Sequence, residues 1–387
     1  MARRLSLFGA TGSVGRSTLD LVRADGGAWA LSVLTANSDV AELASLAREF
    51  RPALAVIADE ARYGDLKDAL AGTGIEVAAG AEALVGAAKE PTDLVMAAIV
   101  GCAGLAPTMA ALEAGHDVAL ANKEALVSAG GLMTAAARTS GATILPVDSE
   151  HNAIFQCLAG GRLSEVRRII LTASGGPFRT MSAAEMAHVT PAQAVAHPNW
   201  SMGAKISVDS ATMMNKGLEL IEAHHLFPVG LDRIEILVHP QSVIHSMVEY
   251  IDRSTLAQLG SPDMRIPISS ALAWPQRMET PCAPLDLAAI GRLDFEAPDE
   301  KRFPATALCR AAIAEGGARP AQLNAANEVA VAAFLAGRIS FPAIIDTVRC
   351  VIDAAAPADP GSLQDIFSVD AASRAAAQQF VDQCEHV

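Results

Sequence analysis

The chain has 387 residues, 51% of them hydrophobic and 19% charged, an ordinary Ala-rich globular composition with length enough for two or three domains. Its net charge of −14 argues against a nucleic-acid surface or an anionic membrane, so any anionic ligand must be met by local positive clusters. Cys102, Cys157, Cys282, Cys309, Cys350 and Cys384 include no C-x-x-C pair, which excludes an obvious zinc site and fits reduced thiols in a cytosol.

The N-terminus leads straight into an apolar strand and a glycine turn, leaving no room for a signal peptide. The longest uncharged run, Leu94 to Leu112, contains Gly101, Gly104 and Pro107 and reads as strand, turn and helix, not as a membrane span. A cytoplasmic protein with no membrane or nucleic-acid partner is expected. Apolar runs at 5–8, 31–34, 54–57, 94–98, 118–120 and 143–145 alternate with helical patterns, the βαβ signature of a parallel sheet. The first turn, Gly9-Ala10-Thr11-Gly12-Ser13-Val14-Gly15, follows a strand and opens a helix, as a dinucleotide fingerprint requires. Thr11, Gly12, Ser13 and Val14 could offer backbone N–H groups to a pyrophosphate; a tight turn without a ligand is the alternative. The second strand ends in Asn37-Ser38-Asp39. The missing carboxylate leans towards NADP, although no Lys or Arg stands as an obvious 2′-phosphate partner before Arg48.

Asn122-Lys123-Glu124 follows the fifth strand and falls on the carboxyl edge of the sheet, where it could contact cofactor and substrate or simply cap a helix. Asp148-Ser149-Glu150 follows the last strand. In extended backbone its two carboxylates project to one side, suiting Mg²⁺ or Mn²⁺ with Glu219 as a third oxygen ligand; the same triplet is also a fair helix start. A strand over 168–172 runs into Ala173-Ser174-Gly175-Gly176-Pro177-Phe178, where consecutive N–H groups could form an anion nest and Ser174 could meet a phosphate. The loop His197-Pro198-Asn199-Trp200-Ser201-Met202-Gly203 could close over a ligand and place an imidazole on it. In Ser207 to Glu219, Asp209 and Ser210 read as N-caps of a helix running to about Ala223. Ser210, Asn215 and Lys216 could then hold a phosphate, and Gly217 permits a close approach to the backbone. His224-His225 diverge by about 100° on a helix and read as structural. Residues 234–251 suggest a hairpin able to pair two subunits. Residues 274–304 read as a Pro-rich linker, and the chain beyond Pro304 as an Ala-rich helical domain.

Taken in order, these motifs closely resemble the 1-deoxy-D-xylulose 5-phosphate reductoisomerase family over nearly the whole chain. The resemblance implies an α/β protein. An N-terminal Rossmann-like NADPH domain would span 1–147. A central α+β catalytic domain would span 148–273, with a lid loop at about 194–204 carrying Trp200 and Met202, and a dimerisation sheet. A linker at 274–304 and a C-terminal helical domain at 305–387 complete the expected homodimer subunit. The implied reaction is isomerisation and NADPH-dependent reduction of 1-deoxy-D-xylulose 5-phosphate to 2-C-methyl-D-erythritol 4-phosphate, in the non-mevalonate isoprenoid pathway. The family's ligands to a divalent cation (Mg²⁺, Mn²⁺ or Co²⁺) fall on Asp148, Glu150 and Glu219. Its substrate contacts fall on Lys123, Ser149, Glu150, Ser174, His197, Ser210, Asn215, Lys216 and Glu219, and its NADPH contacts on Thr11, Gly12, Ser13, Val14, Asn122, Glu124 and Gly203. Lys123, Asp148, Glu150, Glu219 and His197 are the expected catalytic set. One departure stands out: the family often shows Gly-Lys-Asn after the second strand, where this chain places Asn37, Ser38 and Asp39. Two rivals remain at this stage, a metal-free NADP-dependent dehydrogenase of a small phosphorylated aldehyde and a non-catalytic nucleotide-sensing module.

Overall fold

Apolar runs too short for helices, buried on both faces, are what a central parallel sheet requires. In the computed structural model, which describes residues 2–200, 202–356 and 358–384, they form β1 (Arg3–Phe8), β2 (Trp29–Ala36), β3 (Leu54–Ile57), β4 (Glu76–Ala79), β5 (Leu94–Ala97), β6 (Val118–Leu120) and β7 (Ile144–Pro146). These seven lie parallel in the order β4-β3-β2-β1-β5-β6-β7. Leu5, Leu7, Leu94 and Met96 on the central strands are wholly buried. The chain steps outward from β1 in one direction and from β5 in the other, so a crevice opens at their carboxyl ends, where ligands of open α/β sheets bind. β4 carries no long run of branched residues and is an edge strand with no fully buried residue, which is why the sequence pattern misses it.

The chain divides into two compact units. The first runs to Ala125 and takes in Met133–Asn152 and Asp263–Ala283; the second comprises Leu126–Leu132, Ala153–Pro262 and the chain from Pro284. The return of 263–283 to the first unit, across the expected boundary at residue 273, is held by Arg3 donating to the Leu272 carbonyl at 2.9 Å and by Asn152 Nδ2 reaching the Pro267 carbonyl at 3.4 Å.

The second unit holds β8 (Val166–Ala173), β9 (Ile234–Val238), β10 (Ile244–Tyr250) and β11 (Thr255–Leu259), in the order β11-β10-β8-β9. The expected hairpin over 234–251 is therefore corrected. β8 inserts between β9 and β10, parallel to one and antiparallel to the other, and the true hairpin is β10–β11. Ile169 and Leu171 of β8 and Val248 of β10 pack in one core with Leu218 and Ile221 of the helix Met214–Leu226. Cys309 and Ala312 of Ala305–Glu315 and Leu323 and Ala326 of Arg319–Leu335 join the same core. The C-terminal helices thus share their apolar interior with the sheet. His225 sits against Gly130, where any β-carbon would collide with its ring, and burial pushes its imidazole down to about 4, so it is neutral and structural. Among the described residues no helix is long and apolar enough to cross a membrane.

Candidate active site

The glycine turn after β1 has a division of labour that follows from sterics. A β-carbon on Gly9 would stand 2.6 Å from the Ala98 carbonyl oxygen, and Gly9 has φ +90°, so glycine is required twice over. On Gly15 it would overlap the Gly9 carbonyl and lie 2.7 Å from the Ala10 carbonyl. These two glycines pack the turn. At Gly12, by contrast, the nearest atom would be Gly9 O at 3.4 Å, and Gly12, like Ser13, is exposed. Only the middle glycine keeps a face open to a ligand, beside Thr11 and Val14 at the start of the helix Ser13–Ala24. The residues therefore fit a dinucleotide. Asp39 does not reach for a ribose: its carboxylate accepts from Glu42 N–H at 3.0 Å and caps the helix Val40–Phe50, leaving exposed Asn37 and Ser38 at the strand end.

Along the same carboxyl edge, Asn122 caps the helix Lys123–Ser140 by accepting from Ala125 N–H at 3.0 Å, and its amide donates to the Gly101 carbonyl at 2.9 Å, tying the ends of β6 and β5 together. Glu124 lies half-buried in that helix's first turn. Buried Lys123 forms an ion pair with Asp148, which follows β7. The adjacent parallel strands β6 and β7 place the two side by side. Ser149 donates to Glu150 Oε2 at 2.6 Å. The extended reading of Asp148-Ser149-Glu150 is corrected, since the helix Ser149–Leu158 begins here and the Asp148 carbonyl accepts from Asn152 N–H at 2.8 Å. Both carboxylates thus arise from a helix start, the alternative the sequence left open.

On the second unit, the end of β8 turns through Gly175 and Gly176, with φ +80° and +67°. A β-carbon on Gly176 would meet Ser210 O at 2.6 Å, so this turn lies directly on the end of the helix Ala204–Ala211. Ser174 Oγ accepts from Gly176 N–H at 3.1 Å and contacts His197 Nε2 at 2.8 Å. His197 Nδ1 accepts from the N–H groups of Asn199 and Trp200, at 3.2 and 3.0 Å, so the neutral ring carries its proton on Nε2 and donates it to Ser174. Burial holds the His197 imidazole below its usual range, in keeping with that neutral form. With two N–H groups on the Ser174 oxygen, its own O–H is the group left to donate to an anion. Beside it opens a cavity of about 320 Å³ lined in part by Ser174, Gly176, Arg179, Ala196 and Pro198, a volume suited to a small ligand. Asn199, which the sequence leaves without a role, anchors the loop by donating to the Pro240 carbonyl at 2.6 Å; Trp200 packs edge-on against His245. Met202 is half-buried and Gly203 caps the next helix, while Ser201 lies outside the described residues.

The helix expected from Asp209 to Ala223 is also corrected. Asp209 and Ser210 end the helix Ala204–Ala211, Met213 takes a left-handed φ of +63°, and a second helix begins at Met214 with Thr212 Oγ1 accepting from its N–H at 3.2 Å. A left-handed methionine is strained; it is held by burial against the core that contains Phe178 and Val331. The favourable helix end for an anion therefore lies at Met214, one turn later than expected. Asp209 has a structural use, bound by Lys205 at 2.9 Å and by the Asn327 amide at 2.8 Å. Asn215 Nδ2 donates to Glu219 Oε1 at 2.5 Å, and Lys216 pairs with Glu219 Oε2, with Lys216 and Glu219 both buried. The close approach expected at Gly217 is that of Cys309, whose Sγ would lie 2.5 Å from a β-carbon there, and not of a ligand.

Family models described as 1-deoxy-D-xylulose 5-phosphate reductoisomerase, its C-terminal domain and the DXP reductoisomerase C-terminal domain match residues 5–130, 144–227 and 259–376. The chain is 60% identical over 380 residues to the 1-deoxy-D-xylulose 5-phosphate reductoisomerase of Zymomonas mobilis, covering 98% of each. The chain belongs to the 1-deoxy-D-xylulose 5-phosphate reductoisomerase family. A reductoisomerase of Rhodospirillum centenum is 57% identical, with 98% of this chain and 94% of that one covered. Among solved reductoisomerases, that of Zymomonas mobilis in complex with NADPH superposes with a TM-score of 0.94 at 58% identity, covering 98% of this chain and 99% of that one. Another, in complex with NADPH, fosmidomycin and magnesium, superposes with a TM-score of 0.93 at 43% identity, covering 98% of each.

Proposed function

We propose that this chain catalyses the NADPH- and divalent-cation-dependent isomerisation and reduction of 1-deoxy-D-xylulose 5-phosphate to 2-C-methyl-D-erythritol 4-phosphate, the reductoisomerase step of the non-mevalonate isoprenoid route. Family membership over nearly the full length carries the reading. The complexes of relatives with NADPH and magnesium support the same two cofactors here, against the metal-free dehydrogenase and the non-catalytic module.

In this reading Asp148, Glu150 and Glu219 are the residues that would hold the cation. Their hard carboxylate oxygens are the donor type that Mg²⁺ or Mn²⁺ takes, and two of the three face a buried lysine, Lys123 or Lys216. The cation, when bound, supplies Lewis-acid polarisation of neighbouring substrate oxygens, and NADPH supplies the hydride. The chain's own residues do the remainder. Ser174 O–H, with His197 Nε2–H holding the Ser174 oxygen in place beside the ligand, takes the phosphate together with Ser210, Asn215 and Lys216 and fixes the far end of the substrate, so that its binding energy orients the reacting carbons. Lys123 Nζ and the Glu150 carboxyl are the groups that hold and return protons at the reacting oxygens, with Ser149 orienting Glu150 through the bond described above. The loop bearing Trp200 and Met202 excludes water, and Thr11 to Val14, Asn37, Asn122, Glu124 and Gly203 contact the dinucleotide.

With 1-deoxy-D-xylulose 5-phosphate and Mg²⁺ or Mn²⁺ present, NADPH absorbance at its nicotinamide band should fall steadily, and excess EDTA should stop it. Undiminished turnover in EDTA would overturn the reading. We further propose a cytoplasmic homodimer paired through the outer edge at β11, a reading supported by the exposure of Leu256 and the neighbouring Ile251. Sedimentation as a monomer at micromolar concentration would remove the dimer.

A further inference from the structure

The end of β2 offers no basic side chain to the adenine ribose of NADPH, and Asp39, occupied as a helix cap, is a poor neighbour for a phosphate. A cation reaches the place from another element. Arg16 lies one turn beyond Gly12 in the helix Ser13–Ala24, its N–H bonded to the Gly12 carbonyl at 2.9 Å. Its guanidinium crosses to the helix that follows β2, where Nε and Nη2 meet Glu42 Oε1 and Oε2 at 2.7 and 2.6 Å. The glycine turn is fastened to the same strand end, Gly9 N–H donating to Thr35 Oγ1 at 2.9 Å and Ala10 N–H to the Thr35 carbonyl at 2.7 Å. Arg16 therefore lies within electrostatic reach of Asp39, which directly follows Asn37 and Ser38 at the end of β2, on the edge of the sheet that takes the adenosine half of a dinucleotide. With 61% of its side chain exposed, the guanidinium is open to a ligand, and Glu42 and Asp39 are the charged groups facing it.

We propose that Arg16 selects NADPH over NADH in this chain, by giving the 2′-phosphate the two-pronged contact it otherwise makes with Glu42, and that Glu42 is the internal competitor that limits the preference. The proposal rests on the NADPH reading above and deepens it. A phosphate presents oxygens to the guanidinium fork with the geometry of a carboxylate but with more charge, so it displaces Glu42. NADH offers nothing at this position, and Arg16 stays paired. Removing either partner thus has opposite consequences. Arg16→Gln strips the phosphate of its cation and leaves Glu42 as a repelling neighbour. Glu42→Gln frees the guanidinium and removes that repulsion.

The test is titration of the full-length protein with NADPH and with NADH, followed by nicotinamide fluorescence, repeated calorimetrically with adenosine 2′,5′-bisphosphate against 5′-AMP. Arg16→Gln is expected to weaken NADPH and the bisphosphate by roughly tenfold or more while leaving NADH and 5′-AMP unchanged; Glu42→Gln is expected to tighten the first pair several-fold. Two results would overturn the assignment: equal weakening of both dinucleotides in Arg16→Gln, or movement of NADPH affinity in the same direction in both variants, as a purely structural strut between two helices would give. A parent protein that binds neither dinucleotide would overturn the cofactor reading itself, and with it this one.

Discussion

Glu219→Gln is expected to leave NADPH affinity within about twofold of the parent and to reduce turnover by roughly a thousandfold or more. Glu219 is completely buried, with one carboxylate oxygen on the Asn215 amide and the other on Lys216. Glutamine keeps the shape and one acceptor, so Asn215 can still donate, but the nitrogen that replaces the second oxygen cannot accept from Lys216. It also removes one of the three negative charges proposed to hold the cation. Polarisation of substrate oxygens contributes several kcal/mol, and each loss of about 1.4 kcal/mol in barrier lowering is tenfold in rate, which sets the expected size. The change also leaves the Lys216 ammonium buried beside a neutral group, so some loss of stability is expected. NADPH titration and a melting curve separate that from catalysis. A folded variant that binds NADPH and turns over within tenfold of the parent would remove Glu219 from the mechanism.

The glycine turn should respond to alanine in two distinguishable ways. Gly15→Ala puts a methyl into the Gly9 carbonyl and against the Ala10 carbonyl, all backbone, with no side chain able to move aside. It should cost about 3 kcal/mol or more in stability and take cofactor binding with it. Gly12→Ala should behave differently. Gly12 sits at φ −78° and ψ 171°, which alanine adopts freely, and its β-carbon would make only an ordinary contact with Gly9 O at 3.4 Å. The parent melting temperature should persist while NADPH affinity falls by roughly a hundredfold, because the methyl occupies the space through which the backbone approaches the pyrophosphate. Retention of parent NADPH affinity in Gly12→Ala would mean that the turn serves packing alone.

The parts of the site readable from the chain are those whose cause is local. The strand-turn-helix around Gly9, Gly12 and Gly15 is specified within seven residues, and a parallel sheet necessarily delivers Asn122, Lys123 and Asp148 to its carboxyl edge once the strands before them are recognised. A glycine pair after an apolar strand likewise announces the turn at Ser174. These features depend on backbone geometry and on the spacing of apolar residues, both of which can be read along one dimension.

Tertiary structure alone decided the rest, because those features depend on what arrives from elsewhere in the chain. β8 separates β9 from β10 since burial of Ile169, Leu171 and Val248 against the helix Met214–Leu226 outweighs the short connection that would have made a hairpin. Met213 breaks a helix that local propensity would continue, because the core around Phe178 holds it in a left-handed conformation. Gly217 is small for Cys309, 92 positions away, and Arg16 finds Glu42 across two helices. Propensity and periodicity carry no record of such partners, and it is they that determine which anion each cation faces.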